Sequence, residues 1–343
     1  MMLPWHADLF ALALRDRAHL PHAILLHGAP GVGKLDLAIE MAMAMLCEQP
    51  REDGHACRVC DACNWFEQGN HPDFRRLEPI EAEGDAVALA DESAPDKLSD
   101  KTTKRSSQHI KVEAIRELSQ FLGLTSHRGG WRVALIQPVE AMNTAAANAL
   151  LKTLEEPPAR VLLLLLTHQL GRVMPTVLSR CRKLHVPLPP APVALSWLQD
   201  QGVSGAQDLL SEAGGAPLAA LRAADSTRSE ARDAFLDFLT GQSAQRDVCD
   251  LAQTYKTSHV EAWGWLMRWV HDLISQRLAG RSYYFTARAG HAAKLSGGMD
   301  LHAMLAFQRE LQGVGRSLRH PLNMQLLLES LLIRYQNIIG GRA

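Results

Sequence analysis

Short apolar runs alternate with amphipathic segments through the first half of the chain, and this alternation is typical of a parallel sheet covered by helices. Strands are predicted at four runs: Ala23–His27, Val133–Ile136, Val161–Leu166 and Lys183–Val186. Helices are predicted where apolar residues recur every three or four positions: Lys34–Cys47, Ile115–Leu122 and Asn143–Glu156. The expected fold class is therefore α/β with a parallel sheet.

The second half of the chain loses the strand pattern. Prolines at 187, 189, 190 and 192 interrupt the sequence and predict a domain boundary. Helical periodicity returns beyond them in three segments, at 263–270, 301–311 and 322–339. An all-α region is therefore predicted to follow the α/β domain.

One segment of the first half fits neither pattern. Residues 79–108 are acidic at first and basic later, with serine and threonine between. This composition buries little apolar surface, so it is typical of a mobile surface insertion.

Composition narrows the class of protein. The 343 residues include 36 Lys and Arg against 37 Asp and Glu, so the formal net charge is −1. A protein that wraps nucleic acid alone is usually clearly basic, so DNA contacts should be local or shared with partners. The apolar run at 161–167 is far shorter than the ~20 residues that a bilayer requires, and no secretory signal is visible. We therefore expect a cytoplasmic protein without membrane contact.

A glycine-rich turn lies between the first predicted strand and its helix. Residues 28–34, GAPGVGK, match the pattern G-x-x-x-x-G-K, whose backbone N–H groups and following helix N-terminus cradle phosphate. The candidate nucleotide-binding residues are Gly28, Gly31, Gly33 and Lys34. A glycine-rich turn without a ligand is the alternative, but the position between strand and helix favours descent from a P-loop.

Two parts of a working phosphate loop are missing. Leu35 stands where Ser or Thr would place a hydroxyl on Mg²⁺. The strand that should end in a carboxylate for the metal and the attacking water continues into Gln137-Pro138, and Glu140 lies out of register. We therefore predict that the isolated chain does not hydrolyse ATP, and we do not expect it to bind the nucleotide.

Four of the six cysteines are clustered in sequence. The spacing C-x9-C-x2-C-x2-C joins Cys47, Cys57, Cys60 and Cys63. Four thiolates without an open coordination position describe a structural zinc site, which would hold the segment 47–66 as a knuckle. His55 or His71 is an alternative to one ligand, and buried free thiols or a redox pair are alternatives to the metal. A zinc-dependent catalyst is not indicated.

Two further segments carry charged residues. Ser179-Arg180-Cys181 precedes the last predicted strand, and Arg180 taken alone is interpreted as a surface salt-bridge residue or part of a basic loop. Glu155 and Glu156 end the helix that precedes Pro157-Pro158, and they are interpreted as a solvated face.

These motifs together resemble a known family. The phosphate loop, the cysteine knuckle after its helix, the run TAAANALLKTLEEPP at 144–158 and Ser179-Arg180-Cys181 are similar to the clamp-loader subunits of bacterial DNA polymerase III. The resemblance covers about residues 1–220 by motif and the remainder by architecture. It implies an AAA+ P-loop module with a parallel sheet at 1–188, a small helical lid at 189–228 and an α-helical collar domain at 229–343.

The resemblance also implies a function. In this family, subunits form a ring that opens the sliding clamp and places it on primed DNA, using ATP bound by gamma or tau subunits. The departures at Leu35, at Gln137-Pro138 and at Leu218, where an ATP-sensing arginine would lie, imply a non-hydrolysing stator subunit. Its implied partners are gamma or tau and delta, with the clamp and DNA reached through the assembly. The alternative is an ATP-hydrolysing motor subunit like gamma or tau.

The same resemblance gives Arg180 a role. The arginine of the family's Ser-Arg-Cys motif reaches the ATP site of the neighbouring subunit, so Arg180 is the implied arginine finger in trans. No catalysis is expected from the isolated chain, which would act within the DNA-directed DNA polymerase III holoenzyme. Lys111, Arg128 and Arg132 are interpreted as solvated surface, with contact to the DNA backbone as the alternative.

Overall fold

A computed structural model describes residues 2–17, 19–79, 109–127, 129–243, 247–317 and 323–340. The chain divides into two compact units, Met1–Leu188 and Pro189–Ala343. The predicted insertion at 79–108 lies outside the described residues from position 80 onwards, and so does Arg128. Within the described ranges, no helix is both long and apolar enough to cross a membrane.

The first unit is an α/β module. Its elements are α1 (Ala7–Leu14), β1 (Ala23–His27), α2 (Lys34–Leu46), α3 (Asp61–Glu67), β2 (Phe74–Leu77), α4 (Val112–Gly123), β3 (Arg132–Ile136), α5 (Thr144–Glu155), β4 (Val161–Thr167), α6 (Pro175–Leu178) and β5 (Arg182–His185). The predicted central strands and the three predicted helices are all present.

The five strands form one parallel sheet in the order β2-β3-β4-β1-β5. Strands β3 and β4 are buried along their whole length, because helices cover both faces of the sheet. The register pairs Leu25 of β1 with Leu165 of β4. The parallel α/β fold predicted from the apolar runs is therefore confirmed.

Charged edge strands explain what the sequence pattern missed. Strand β2 has the sequence FRRL and β5 has RKLH, and both are partly exposed along their length. An edge strand has one neighbour and an open side, so charged residues are tolerated there and the apolar signal is lost. The sequence pattern predicts β5 with bounds shifted by one residue, and it does not predict β2 or α1.

Helices on the two faces bring the functional loops to one edge of the sheet. Leu163 and Leu165 of β4 pack in one cluster with Leu150 of α5 and Ile115 of α4. Helix α2 contacts β1, β3 and β4. The carboxyl ends of parallel strands meet at one edge, so the phosphate loop after β1 and the segment after β3 lie on the same side of the sheet.

Arg132, interpreted from sequence as solvated surface, is buried in the structure. Its guanidinium donates to the carbonyl oxygens of Phe121 and Thr125, and its Nε lies 3.4 Å from a carboxylate oxygen of Asp73. The burial follows from these internal acceptors, which replace water around the charge. Neither solvation nor contact with DNA is therefore available to Arg132, whereas Lys111 is exposed.

Within its described residues, the second unit contains helices and no strand. Its helices are α7 (Ala191–Asp200), α8 (Ala206–Glu212), α9 (Pro217–Ala223), α10 (Ser226–Thr240), α11 (Val248–Thr254), α12 (His259–Ala279), α13 (Ala289–Gly297), α14 (Leu301–Ser317) and α15 (Met324–Ile339). Trp269 is fully buried among them and donates from Nε1 to the Tyr335 hydroxyl at 2.8 Å.

A buried carboxylate links helices within this unit. Glu212 of α8 accepts from Arg232 of α10 at 2.8 Å and lies 3.4 Å from the Arg268 guanidinium of α12. Burial lowers the pKa of Arg268, and the Glu212 charge opposes that effect. These ion pairs tie α8 to α10 and α12, while the division of the unit near residue 228 into lid and collar stays a prediction.

Candidate functional sites: phosphate loop, cysteine cluster and Arg180

The phosphate loop runs from Gly28 at the end of β1 to Gly33 at the start of α2. A Cβ atom on Gly28 would lie 2.3 Å from the Val186 carbonyl oxygen, and one on Gly33 would lie 2.3 Å from a methyl carbon of Leu3. Both glycines also have positive φ, at 152° and 88°. Only glycine fits this close approach of neighbouring chain segments.

Lys34 is bound by the loop that it follows. Its ammonium donates to the carbonyl oxygens of Gly28 at 2.9 Å and Ala29 at 2.7 Å, and the residue is only 3% exposed. Burial lowers the pKa of Lys34 to about 8, and the charge of Glu140 partly opposes the shift. The lysine that would meet phosphate in a P-loop is therefore held by carbonyls of its own chain.

The N-terminal segment packs on the same loop. The Trp5 indole donates from Nε1 to the Val32 carbonyl at 3.0 Å, and His6 Nε2 lies 2.9 Å from the same oxygen. His6 is completely buried, and burial lowers its pKa. The neutral imidazole can therefore donate from Nε2–H to Val32, and the two aromatic rings fix the loop from outside.

Two groups that bind Mg²⁺ in a working P-loop are a hydroxyl after the lysine and a carboxylate directly after the neighbouring strand, and neither is present in this sequence. Leu35 follows Lys34, and Gln137-Pro138 follows β3. The structure adds Glu140, whose Oε1 accepts from the backbone N–H of His168 at 3.0 Å and whose charge acts on Lys34. Glu140 is out of register in the sequence pattern, and only the fold shows that its charge acts on Lys34.

The four predicted cysteines converge after α2. Their Sγ atoms lie within 4.8 Å of one another. The Cys47 sulfur is 3.5 Å from Cys57 and 3.9 Å from Cys60, and Cys57 is 3.9 Å from Cys63. A tetrahedral zinc ion with Zn–S bonds of about 2.3 Å separates its sulfurs by about 3.8 Å. The donor set and its spacing therefore fit a four-thiolate metal site.

Backbone N–H groups prepare one sulfur of the cluster for ionisation. Val59 and Cys60 donate to the Cys57 sulfur at 3.5 and 3.4 Å, and these hydrogen bonds lower the pKa of Cys57 to about 6. Burial instead raises the pKa of Cys47 and Cys63. Buried thiols at this separation need a cation to become thiolates together, because their negative charges repel.

Neither alternative histidine belongs to this four-cysteine group. The His55 ring stacks on Phe10 with centroids 4.1 Å apart, and His71 Nδ1 accepts from the backbone N–H of Asp73 at 3.1 Å. Arg58 holds the knuckle to its surroundings through ion pairs with Glu40 of α2 and Glu67 of α3. The substitutions considered for one cysteine ligand are therefore not favoured by the geometry.

Arg180 lies on a short loop between α6 and β5. Val177 is fully buried, and half-buried Cys181 packs against the same core, so the loop is anchored on both sides of Ser179-Arg180. The Arg180 Nη1 donates to the Thr176 carbonyl at 3.0 Å and to the Ser179 hydroxyl at 3.2 Å. Its side chain remains 35% exposed.

The remaining contact of Arg180 comes from helix α5. Arg180 Nη2 lies 2.6 Å from Oε1 of Glu155, the last residue of that helix. Arg180 forms no hydrogen bond or ion pair with the phosphate loop in the described part of the chain. The described contacts of the guanidinium are therefore with its own loop and with the end of α5.

A parallel sheet with a glycine-rich phosphate loop between β1 and α2 defines the first unit as a P-loop-type α/β module. A family model described as DNA polymerase III, delta subunit matches residues 9–189, and a C-terminal delta-subunit model matches 226–337. DNA polymerase III subunit delta-prime of Pseudomonas aeruginosa is 31% identical to this chain, and the alignment covers 98% of both proteins. The chain belongs to the family of DNA polymerase III delta-prime subunits, and it is a clamp-loader subunit.

Two further relatives mark the range of the similarity. DNA polymerase III subunit delta-prime of Escherichia coli K12 is 27% identical over 93% of this chain and 90% of its own. DNA polymerase III subunit tau of the same organism is 32% identical over 165 residues, which are 48% of this chain and 21% of tau. The similarity to the delta-prime proteins therefore extends over both units, whereas the similarity to tau covers about half of the chain.

Proposed function

We propose that this chain is the non-hydrolysing stator of a DNA polymerase III clamp loader. It assembles with gamma or tau and with delta, and it takes part in placing the sliding clamp on primed DNA. Its own phosphate loop does not turn over ATP, and Arg180 completes the ATP site of a neighbouring gamma or tau subunit. The proposal combines the family membership with the contrast between these two basic residues.

The contacts of Lys34 are the observation that carries the proposal. In a P-loop this ammonium stabilises the β- and γ-phosphates, and the next hydroxyl binds Mg²⁺. Here the ammonium is bound by Gly28 and Ala29, and Leu35 offers no oxygen. Binding of a nucleotide would have to break two internal hydrogen bonds without gaining the metal contact.

The exposure of Arg180 supports its assignment as an arginine finger. A finger in trans needs a guanidinium that is oriented by its own subunit and still reachable by the next one. The Thr176 and Ser179 contacts orient Arg180, and about a third of its side chain faces solvent. The charge would stabilise the γ-phosphate in the transition state for hydrolysis.

We also propose that the cysteine cluster binds a structural zinc ion. Cys47, Cys57, Cys60 and Cys63 would supply all four ligands, which leaves no position for a substrate or water. The ion would neutralise the thiolates and hold the segment 47–66 against the end of α2. This assignment gives zinc a role in stability and none in catalysis.

The rival function is that of an ATP-hydrolysing motor subunit. The similarity of about half of the chain to tau favours it. Leu35 and Gln137-Pro138 oppose it, since a motor needs a metal-binding hydroxyl and a carboxylate after β3. A motor would also need Lys34 to leave the carbonyl oxygens of its own loop.

An Arg180→Ala exchange tests the proposal in the complex assembled with gamma or tau and delta chains. We expect it to reduce ATP hydrolysis at the adjoining site about 10³-fold, the lower range for fingers in trans. Steady-state phosphate release and clamp loading on primed DNA measure the loss. Arg182→Ala is the matched control, because Arg182 is an exposed neighbour on β5.

If Arg180→Ala and Arg182→Ala had equal effects, Arg180 would contribute only as part of a basic loop and not as an arginine finger. An unchanged rate with Arg180→Ala would overturn the finger assignment. Phosphate release by the isolated wild-type chain, lost in Lys34→Ala, would instead support the motor.

A further inference from the structure

The partners of Arg180 differ in what they can fix. Thr176 and Ser179 lie in the same short segment as the arginine, so they orient the guanidinium only relative to its own loop. Glu155 comes from another element, the end of α5. It is therefore the contact that relates the guanidinium to the sheet-packed body of the unit.

Helix α5 is a rigid support for that contact. Leu150 and Leu154 are buried in the core cluster beside β4, and the Asn143 side chain caps the helix by accepting from the Ala146 N–H at 2.8 Å. A side chain on such a helix is placed more reproducibly than one on a loop. The carboxylate of Glu155 consequently offers a fixed anchor for one end of the arginine fork.

The pair leaves the arginine available to another acceptor. Nη1 and Nη2 make the three contacts, and Nε takes part in none of them within the described residues. Glu155 is 50% exposed, and an exposed ion pair is weak compared with a charge-assisted contact to phosphate. The carboxylate therefore orients the guanidinium without withholding it from a triphosphate.

We infer that Glu155 is a positioning residue for Arg180, which holds the guanidinium in the direction from which it meets the neighbouring subunit's ATP. The inference rests on the proposed finger role of Arg180. An unanchored arginine loses rotamer freedom only when it reaches the phosphate, whereas an anchored one has already lost most of it. Glu155 thus contributes to the transition state without touching the nucleotide.

The test compares Glu155→Gln with Glu156→Gln in the fully assembled clamp loader, with clamp, primed DNA and ATP present. Both glutamates are exposed and adjacent, but the Arg180 contact belongs to Glu155. We expect Glu155→Gln to lower kcat about two- to fivefold with KM for ATP unchanged, as for an interaction made only in the transition state. Glu156→Gln should leave both constants unchanged.

A double-variant cycle shows whether Glu155 acts through Arg180. Adding Glu155→Gln to Arg180→Ala should cause no further loss, since the partner is already absent. An unchanged or increased kcat with Glu155→Gln overturns the inference, and so does an equal loss in the Arg180→Ala background. If Arg180→Ala itself leaves the rate unchanged, the proposed function fails, which separates that failure from this one.

Discussion

The two ends of helix α2 carry the two candidate ligand sites of the first unit, and they are built in opposite ways. At its beginning, the Lys34 ammonium is bound by carbonyl oxygens of the loop, and Trp5 and His6 bind the Val32 carbonyl. At its end, Cys47 and three other cysteines bring four sulfur atoms together. The first site is satisfied by the chain, whereas the second gathers groups that only a cation can hold as thiolates.

This difference shows that a glycine loop before a helix does not by itself make an anion-binding site. A glycine loop before a helix is an anion site only while its N–H groups and lysine are available to a ligand. Once the lysine is bound internally, the same loop becomes a packing element between β1, α2 and the N-terminal segment. The described hydrogen bonds of the four sulfurs are to one another and to backbone N–H groups, so the stability of the cluster should depend on a metal.

The largest expected effect comes from breaking the cysteine site. Cys60→Ser should lower the free energy of unfolding by about 3 kcal/mol, because it removes the stabilisation that a bound ion gives the folded state. Denaturant unfolding and metal analysis measure the change, with about one zinc ion per wild-type chain expected. Cys249→Ser is the control, since Cys249 is exposed, lies on α11 of the second unit and is not one of the four clustered cysteines.

A chelator should reproduce the destabilisation in the wild type and add nothing to Cys60→Ser. If the wild-type protein contained no zinc and unfolded like Cys60→Ser, the cysteine cluster at the end of α2 would not be a metal site.

A smaller effect is expected from the pH dependence of Lys34. Its pKa is about 8 in the folded chain against 10.5 for an ordinary lysine, so between these values the unfolded chain binds more protons. The free energy of unfolding therefore rises with pH across that window, by about 2.5 kcal/mol from this residue. The contribution is complete above pH 10.5 and is lost as the pH falls through 8.

Unfolding of wild type and Lys34→Met between pH 7 and pH 10 isolates this contribution. The difference between the two should change in favour of the wild type as the pH rises. Lys183→Met is the control, because Lys183 is exposed on β5. A wild-type and Lys34→Met pair with parallel pH profiles would show that Lys34 is not held in the low-dielectric loop.

The smallest expected effect concerns nucleotide binding by the phosphate loop at the beginning of α2. Millimolar Mg·ATP should leave the melting temperature of the isolated chain unchanged, since only ligands that bind the folded state raise it. Thermal unfolding with and without nucleotide measures this. An upward shift of several degrees that Lys34→Met abolishes would show that the loop still accepts a triphosphate.

Local pattern was sufficient for the middle of the sheet and for the sites made of neighbouring residues. The apolar run of β4 predicts a strand covered on both faces, and the predicted bounds differ from the observed ones by a single residue. The cysteine spacing likewise predicted four sulfurs that the structure brings together. Both signals are strong because burial and metal geometry restrict residue type at close sequence separation.

Contacts between distant segments were beyond the sequence. Arginine is usually a surface residue, yet Arg132 is buried, because Asp73, Phe121 and Thr125 supply acceptors for its guanidinium. Glu155 was expected on a solvated face, and it is half exposed, but its partner is Arg180. No spacing rule connects these residues, because their proximity is set by how helices pack on the sheet.

The sequence by itself determined the parallel sheet, the glycine loop, the cysteine set and the absence of a hydroxyl after Lys34. These features depend on residue type and local periodicity, which hydrophobic burial and backbone geometry fix within a few residues. Only the tertiary structure decided that Lys34 binds its own loop, that the charge of Glu140 acts on Lys34 and that Glu155 pairs with Arg180. Those outcomes depend on distances of a few ångströms between remote parts of the chain, and only packing sets such distances.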